Sequence, residues 1–211
     1  MDAEVFRAWI VSAAGVIEAN RDHLTQLDAA IGDADHGINL ARGFTAVLGA
    51  LDAADAAATP GAILTVTGNT LISKVGGASG PLYGMAFRRA GRALGDAADV
   101  DLPGLSAALD AALAGVQKLG AAREGDKTMV DALAPATGAF SKAIAEGASD
   151  ADALTALAEA AQAGAVATVS MQALKGRASY LGPRSVGHED PGAASTALIL
   201  AALRDAVLAG R

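Results

Sequence analysis

The chain has 211 residues, with 16 Lys and Arg against 23 Asp and Glu, a net charge of −7 and no cysteine. The lack of cysteine excludes disulfides, thiolate zinc sites, iron–sulfur clusters and a cysteine nucleophile. The acidic balance argues against nucleic-acid binding, and an aromatic content of 3% argues against an all-β fold. About a quarter of the residues are alanine, the strongest helix former, so we expect a helical protein.

Eight helices are predicted in chain order, most of them from apolar residues at helical spacing, and those at 60–74 and 80–94 from their helical length despite their glycine and threonine content. The first has an apolar stripe from Val5 to Ile17 that includes Trp9 as a core residue, with Asp2 as its N-cap. The others cover residues 40–51, 60–74, 80–94, 105–119, 130–146, 151–174 and 191–208. The β-branched runs at 63–66 and 166–169 lack a partner strand, so no sheet is expected. Since no linker divides the chain, residues 1–211 are predicted to form one domain.

The longest uncharged stretch, residues 56–73, reaches the lower limit of length for a membrane span. Its proline, glycine, asparagine and threonine residues make it a poor lipid-facing helix. The N-terminal residues lack the basic start of a signal peptide. The sequence therefore predicts a cytoplasmic protein that binds neither membrane nor nucleic acid.

Three aspartates, Asp28, Asp33 and Asp35, lie within eight positions of one another. Like charges this close are costly unless a cation neutralises them, and oxygen ligands favour Mg²⁺ or Ca²⁺. The residue order does not match a calcium-binding loop, whereas Mg²⁺ often combines a few carboxylates with phosphate oxygens. The alternative is that Asp35 caps a helix that begins near Gly37. His36, which follows the three aspartates, is expected to contact a ligand or to orient a carboxylate.

The glycine-rich segment 76–80 leads into a helix that is predicted to begin near Pro81. Free backbone N–H groups at a helix N-terminus bind anions such as phosphate, and the Ser79 hydroxyl would add a donor. The alternative is a glycine C-cap followed by an ordinary turn. Residues 125–128 are not a Walker loop, because Asp126 separates the glycine from Lys127.

The segment 176–192 is long and has no helical period, which is typical of a lid or a binding loop. Asp190 followed by Pro191 predicts the N-cap and the first residue of the last helix. Arg177 and Arg184 are candidate phosphate partners, because arginine suits bidentate contacts to phosphate. The alternative for either arginine is a solvated side chain on a surface loop.

Taken in order, the segments 32–39, 76–82, 125–131 and 176–192 resemble four motifs of the ADP-binding L subunits of bacterial dihydroxyacetone kinases. The resemblance covers essentially the whole chain. It implies an all-α fold, an antiparallel up-and-down barrel of about eight helices with the nucleotide site at one end. The chain has Ala34 where many relatives have glycine, a change that we expect to be tolerated.

The resemblance also implies the ligands of the site. Asp28, Asp33 and Asp35 are expected to bind two Mg²⁺ ions that bridge the nucleotide phosphates. The residues expected to hold ADP or ATP are His36, Gly37, Ile38, Asn39, Ala78, Ser79, Gly120, Met129, Arg177, Asp190, Pro191 and Gly192. No catalytic side chain is assigned, because phosphoryl transfer depends on charge neutralisation and alignment more than on a protein nucleophile.

The activity that the resemblance implies is that of a phosphoenolpyruvate-dependent kinase subunit. The bound ADP would be phosphorylated by a phosphohistidine-carrying M subunit of the phosphotransferase system. The γ-phosphoryl group would then pass to dihydroxyacetone on a separate K subunit. Two alternatives remain at this point: a subunit of an ATP-dependent kinase of dihydroxyacetone or another small ketose, and a regulatory module whose nucleotide state is read by a transcriptional regulator.

Overall fold

The computed structural model describes residues 1–54 and 58–210. These residues form nine α-helices and two 3-10 segments, and no strand occurs among them. The α-helices are α1 (Ala3–Ala19), α2 (Arg21–Ile31), α3 (His36–Asp52), α4 (Pro60–Lys74), α5 (Ser79–Leu94), α6 (Leu102–Gly120), α7 (Val130–Ala145), α8 (Asp150–Ala167) and α9 (Pro191–Ala209). The 3-10 segments, Thr168–Ser170 and Arg177–Ser185, both lie between α8 and α9. Of the uncharged stretch 56–73, residues 56 and 57 lie outside the described residues.

Eight of these helices form a closed ring. Each helix from α3 to α8 packs on the next one in the chain, and α9 packs on α1, which in turn packs on α3. Short connections between packed neighbours, such as residues 75–78 between α4 and α5, require successive helices to run antiparallel. The predicted all-α up-and-down bundle is confirmed.

The core of the ring is aliphatic, with a few aromatic side chains on the α1 side. Trp9 is buried between Phe6 and Phe87, with ring centroids 6.0 and 5.6 Å away. Its indole N–H donates a hydrogen bond of 2.9 Å to the carbonyl of Ile199 on α9. The predicted core position of Trp9 is confirmed, as is the N-cap of α1, where Asp2 accepts the N–H of Val5.

Helices α4 and α5 approach closely because glycines line their contact. A Cβ added to Gly61 would lie 2.2 Å from the carbonyl oxygen of Gly95, and one added to Gly91 would lie 2.5 Å from that of Gly61. Gly68 and Gly84 make the same kind of contact seven residues further along, since a Cβ added to either would lie within 2.7 Å of the other's carbonyl oxygen. This backbone-to-backbone packing holds α4 and α5 close together over most of their length.

Two of the predicted boundaries are wrong. The prediction has no helix at residues 21–31, where α2 lies, because this segment is polar overall and its apolar stripe has only Leu24, Leu27 and Ile31. The predicted helix 151–174 ends earlier, at Ala167. Beyond that point the carbonyls of Thr168 and Met171 accept hydrogen bonds from a distant lysine, Lys127, instead of continuing the helix.

Helix α9 is the one helix of the described residues with the length and apolar composition of a membrane span. Within the protein, 61% of that window is buried, because α9 packs on α1, α7 and α8. A long apolar helix that is mostly buried is typical of a core helix in a helical ring.

Candidate functional site

One cavity lies at the end of the ring where α3, α5, α7 and α9 begin. It is lined by residues at all four starts, including His36, Ser79, Met129 and Pro191. Each helix N-terminus presents backbone N–H groups and a partial positive charge. Among the described residues, no side chain caps the start of α5, so its N–H groups face the cavity without a competing acceptor from a cap. This end of the ring is therefore suited to an anionic ligand.

Three carboxylates lie together at one side of this cavity. Asp28, Asp33 and Asp35 each offer an oxygen, and these oxygens all lie within 4.8 Å of one another. Asp28 is buried, and its Oδ2 accepts hydrogen bonds from the N–H groups of Asp35 at 2.9 Å and His36 at 3.2 Å. Gly32 makes this position available, since a Cβ there would lie 1.9 Å from Asp28 Oδ1.

The capping role proposed as an alternative for Asp35 is wrong. Asp35 stands at the N-cap position of α3, but in the described structure its side chain makes no capping hydrogen bond. Asp28, from the end of α2, caps α3 in its place and leaves the Asp35 carboxylate free to face the cavity. Three carboxylates at this separation repel one another unless a cation lies between them, and their hard oxygen donors fit Mg²⁺.

The segment between α8 and α9 reaches over the aspartates. Arg177 Nη2 lies 3.0 Å from Asp33 Oδ2, with both side chains partly exposed, so this ion pair contributes little stability by itself. Next to it, Ala178 packs with Ile31 and Ala173 in a small apolar cluster. Arg177 thus lies at the predicted site, whereas Arg184 is exposed and outside the cavity lining.

A buried hydrogen-bond network supports the cavity from below. His36 Nε2 lies 2.9 Å from Ser195 Oγ, and Tyr83 Oη lies 2.7 Å from the same oxygen and 2.9 Å from the Gly192 carbonyl. Burial lowers the pKa of His36, although the carboxylates of Asp28 and Asp35 act in the opposite direction. His36 is therefore neutral near pH 7. Burial also raises the pKa of the Tyr83 phenol, which stays protonated.

Asp190 caps α9, as the sequence predicts, and Pro191 is the first residue of that helix. The Asp190 carboxylate accepts a hydrogen bond of 2.8 Å from the N–H of Ala193. Burial raises the pKa of Asp190 to about 7, more than the hydrogen bond from Ala193 lowers it. The lining of the cavity thus contains a half-buried carboxyl group whose pKa is raised toward neutral pH.

Most of the predicted site residues come together in this cavity. Those in its lining are Asp28, Asp33, Asp35, His36, Ala78, Ser79, Met129, Arg177, Asp190, Pro191 and Gly192. The lining also contains residues that the sequence analysis did not assign: Ile31, Gly32, Gly77, Leu82, Tyr83, Lys127, Thr128, Lys175, Gly176 and Ala178. The glycine-rich segment before α5 could have identified Gly77. Tyr83 and Lys127 could not be identified in this way, because only tertiary contacts bring them to the cavity.

The remaining predicted residues lie beside the described cavity lining. Gly37 packs on α2, where a Cβ would lie 2.0 Å from the Arg21 carbonyl oxygen. Ile38 is 51% exposed on the outer face of α3. The side chain of Asn39 is buried and accepts a hydrogen bond from Arg42. Gly120, at the end of α6, faces the side chain of Leu82.

The sequence matches the DAK2 domain family over residues 30–205. It is 42% identical over 192 residues to the ADP-binding subunit of the PEP-dependent dihydroxyacetone kinase of Escherichia coli K12, with 91% of each chain covered. It is 40% identical over 195 residues to the ADP-binding subunit of PEP-dependent dihydroxyacetone kinase 1 of Listeria innocua, with 92% of each covered.

A solved structure with the same fold is that of the dihydroxyacetone kinase from C. freundii in complex with AMP-PNP and Mg²⁺. The TM-score is 0.68 at 29% identity, over 94% of this chain and 33% of that one. The chain therefore spans about a third of the length of the C. freundii kinase.

Proposed function

The chain belongs to the DAK2 domain family, and from that premise we propose that it is the ADP-binding subunit of a phosphoenolpyruvate-dependent dihydroxyacetone kinase. The observation that carries the proposal is the joint presence, in one cavity, of three converging aspartates and the uncapped N-terminus of α5. The first fits divalent cations and the second fits phosphate. Relatives of nearly the same length have this function in their names.

In this proposal, Asp28, Asp33 and Asp35 hold two Mg²⁺ ions, and the start of α5 at Ala78 and Ser79 holds phosphate. The presence of AMP-PNP and Mg²⁺ in the C. freundii kinase supports a nucleotide together with the metal. The other residues that we assign to the nucleotide are His36, Gly37, Ile38, Asn39, Gly120, Met129, Arg177, Asp190, Pro191 and Gly192.

The chain's own residues bind and orient the ligand and exclude water from it. The residues named above would hold ADP, and the bound nucleotide would supply a β-phosphate oxygen as the acceptor for the phosphoryl group. His36 is unsuited to carry the phosphoryl group through Nε2, because that atom is buried against Ser195. We therefore assign no catalytic side chain, in keeping with a reaction that depends on alignment and charge neutralisation.

Transfer between proteins requires partners at the mouth of the cavity. We propose a dihydroxyacetone-binding K subunit, a phosphohistidine-carrying M subunit and, for regulation, a transcriptional regulator that senses the nucleotide state. Large apolar side chains are exposed on segments that flank the cavity: Ile38 (51% exposed), Leu174 (54%), Val186 (45%) and Tyr180 (88%). A protein partner would cover such side chains. A cytoplasmic location follows from the proposed phosphotransferase partner.

A reconstituted transfer assay tests this function. The chain is combined with the purified K and M subunits of the E. coli kinase and the general phosphotransferase proteins, and dihydroxyacetone phosphate is measured with phosphoenolpyruvate as donor. We expect catalytic formation of dihydroxyacetone phosphate by the wild-type chain and a loss of at least about 100-fold for Asp33→Asn, because metal coordination supplies several kcal/mol to phosphoryl transfer.

The matched control is Asp52→Asn, an exposed aspartate at the end of α3 that pairs with Arg7 at 3.4 Å. It removes the same charge and should leave the rate unchanged. Turnover with free ATP and no M subunit would instead establish the ATP-dependent alternative. Full activity of Asp33→Asn would contradict the proposed role of the aspartates.

A further inference from the structure

A lysine that the proposed function does not use lies beneath the cavity. Lys127, in the connection between α6 and α7, is only 1% exposed. Its φ of +61° is in the left-handed region, which is costly for a residue other than glycine and persists only where the surrounding structure demands it. Burial lowers the pKa of Lys127, whereas the nearby Asp190 carboxylate favours its charged form.

The ammonium group of Lys127 binds backbone carbonyls from both ends of the segment between α8 and α9. At the first end it donates to Thr168 at 2.9 Å and to Met171 at 3.1 Å. At the second end it donates to Ser185 at 2.7 Å and also to His188. Four acceptors surround three N–H donors, so no donor remains to bind a phosphate directly.

Direct hydrogen bonds join the same two ends around the lysine. The N–H of Ala173 donates to Ser185 Oγ at 2.9 Å, the N–H of Gly187 to the Val169 carbonyl at 2.7 Å, and the N–H of Asp190 to Thr168 Oγ1 at 2.9 Å. We call this cross-linked region, residues 168–173 and 185–190 with Lys127, the clasp. It joins the exit from α8 to the start of α9, where Asp190 and Pro191 line the cavity.

The part of the segment beyond the clasp is held much more weakly. Residues 176–182 form its tip, from which Arg177 reaches the aspartates through an ion pair in which Arg177 is 69% exposed. A small apolar cluster with Ile31 and Ala178 adds the other contact to α2. Because the tip has few buried contacts, its position over the cavity depends on the clasp at its base.

We propose that Lys127 is a positioning residue that sets how long the nucleotide remains bound. This inference rests on the proposed function, since it concerns retention of ADP in the same cavity. By holding the two ends of the segment together, the ammonium keeps Arg177 over the aspartates and Asp190 at the start of α9. Without it the segment opens, so the dissociation rate of the nucleotide rises while its association rate changes little.

The test compares Lys127→Met with wild type and with Lys142→Met. Lys142 is an exposed lysine on α7, so this control makes the same chemical change away from the site. Dissociation of a fluorescent ADP analogue is followed in Mg²⁺ after a chase with unlabelled ADP. We expect Lys127→Met to release the analogue about 10- to 100-fold faster, the range that corresponds to leaving buried hydrogen-bond acceptors unsatisfied. Lys142→Met should release it at the wild-type rate.

Amide hydrogen exchange separates positioning from a general loss of stability. In Lys127→Met, the amides of Ala173, Gly187 and Asp190 should lose protection, while those of α1 and α4 keep it. If Lys127→Met does not fold, Ser185→Ala replaces it, because this change removes one link of the clasp and leaves the lysine in place. Ser185→Ala should also release the analogue faster and lower the protection of the clasp amides, but by a smaller factor.

The outcomes distinguish the two proposals. A folded Lys127→Met with wild-type release and exchange overturns the role of Lys127, and so does an unchanged Ser185→Ala where Lys127→Met is unfolded. A wild-type chain that binds no ADP in Mg²⁺ overturns the proposed function itself, together with the nucleotide as the ligand that the clasp retains.

Discussion

Two walls of the cavity are built in different ways. Where α4 leads into α5, the two backbones are in close contact, since a Cβ at Gly80 would lie 2.3 Å from the carbonyl oxygen of Val75 just before α5. Where the chain passes from α8 to α9, the wall is a long segment whose ends are held by hydrogen bonds around buried Lys127 and Asp190. Close packing gives a wall of fixed geometry, whereas polar contacts at a hinge give a wall that can open. The first suits a phosphate site, and the second suits control of entry and release.

The largest expected effect breaks the packing of α4 on α5, at the end of the two helices away from the cavity. Gly61→Ala places a Cβ 2.2 Å from the backbone carbonyl oxygen of Gly95, the C-cap of α5, which no rotamer change relieves. We expect the free energy of unfolding to fall by about 3 kcal/mol. The control is Gly49→Ala on α3, where a Cβ meets none of the described residues within 4 Å. This change should raise the free energy of unfolding by up to about 1 kcal/mol. Urea denaturation of both variants measures the difference; equal stabilities would contradict the packing argument.

The next prediction concerns the hydrogen-bonded wall, where we expect the free energy of unfolding to depend on pH. Asp190 has a pKa of about 7 in the folded chain and an ordinary value near 3.8 when unfolded. Between these values the folded state binds the proton and the unfolded state does not. The free energy of unfolding therefore falls as the pH rises, by up to about 1.4 kcal/mol per unit, and levels off above pH 7.

Asp190→Asn isolates this contribution, because the amide keeps the capping oxygen and does not titrate in this range. The difference in unfolding free energy, wild type minus Asp190→Asn, should decrease by about 2 to 3 kcal/mol from pH 5 to pH 7 in EDTA. Chemical denaturation at each pH gives this difference. A difference that is independent of pH would show that Asp190 is already ionised at pH 5.

A third prediction separates structure from ligand binding at the aspartates. Asp28→Ala removes the cap of α3 and should lower the free energy of unfolding by about 2 kcal/mol, even without metal. Asp28→Asn keeps an oxygen for the cap, so it should lose Mg²⁺-dependent ADP binding with a much smaller loss of stability. Denaturation and ADP titration of the two variants make the comparison. Equal loss of stability in both would refute the capping role.

The smallest expected effect is a gain. Ala34 has a φ of +62° in the turn between Asp33 and Asp35, a conformation that favours glycine. Ala34→Gly should therefore raise the free energy of unfolding by up to about 1 kcal/mol. Ala30→Gly, at an exposed position in the last turn of α2, should lower the free energy of unfolding by up to about the same amount. Thermal or urea denaturation checks both signs, and a loss of stability in Ala34→Gly would contradict the strain at this position.

These regions also differ in how far the sequence predicts them. Periodic apolar residues predicted the eight helices of the ring, because each has one buried face. Helix α2 escaped prediction because its sequence is mostly polar, and α8 was predicted too long because its end is fixed by tertiary contacts. Local propensity cannot predict the hydrogen bonds of Lys127, because their acceptors are 41 to 61 residues away in the chain.

For the site, spacing predicted the aspartate group but left metal binding and capping open. The structure excludes the capping role of Asp35, because Asp28 caps α3 and Asp35 makes no capping hydrogen bond, and metal binding stays a prediction. The lone glycine-rich segment was weak evidence for an anion site. Its significance comes from the convergence of four helix N-termini in one cavity, a property of the closed ring and of no single motif.

The central claim is that the aspartates and the start of α5 together bind ADP with Mg²⁺. Calorimetric titration of the purified, nucleotide-free chain with ADP, in Mg²⁺ and in EDTA, tests it most directly, with Asp33→Asn alongside. We predict one ADP per chain in Mg²⁺, with affinity reduced at least about tenfold by EDTA or by Asp33→Asn. Absence of ADP binding in Mg²⁺, or binding that neither EDTA nor Asp33→Asn weakens, would contradict the claim.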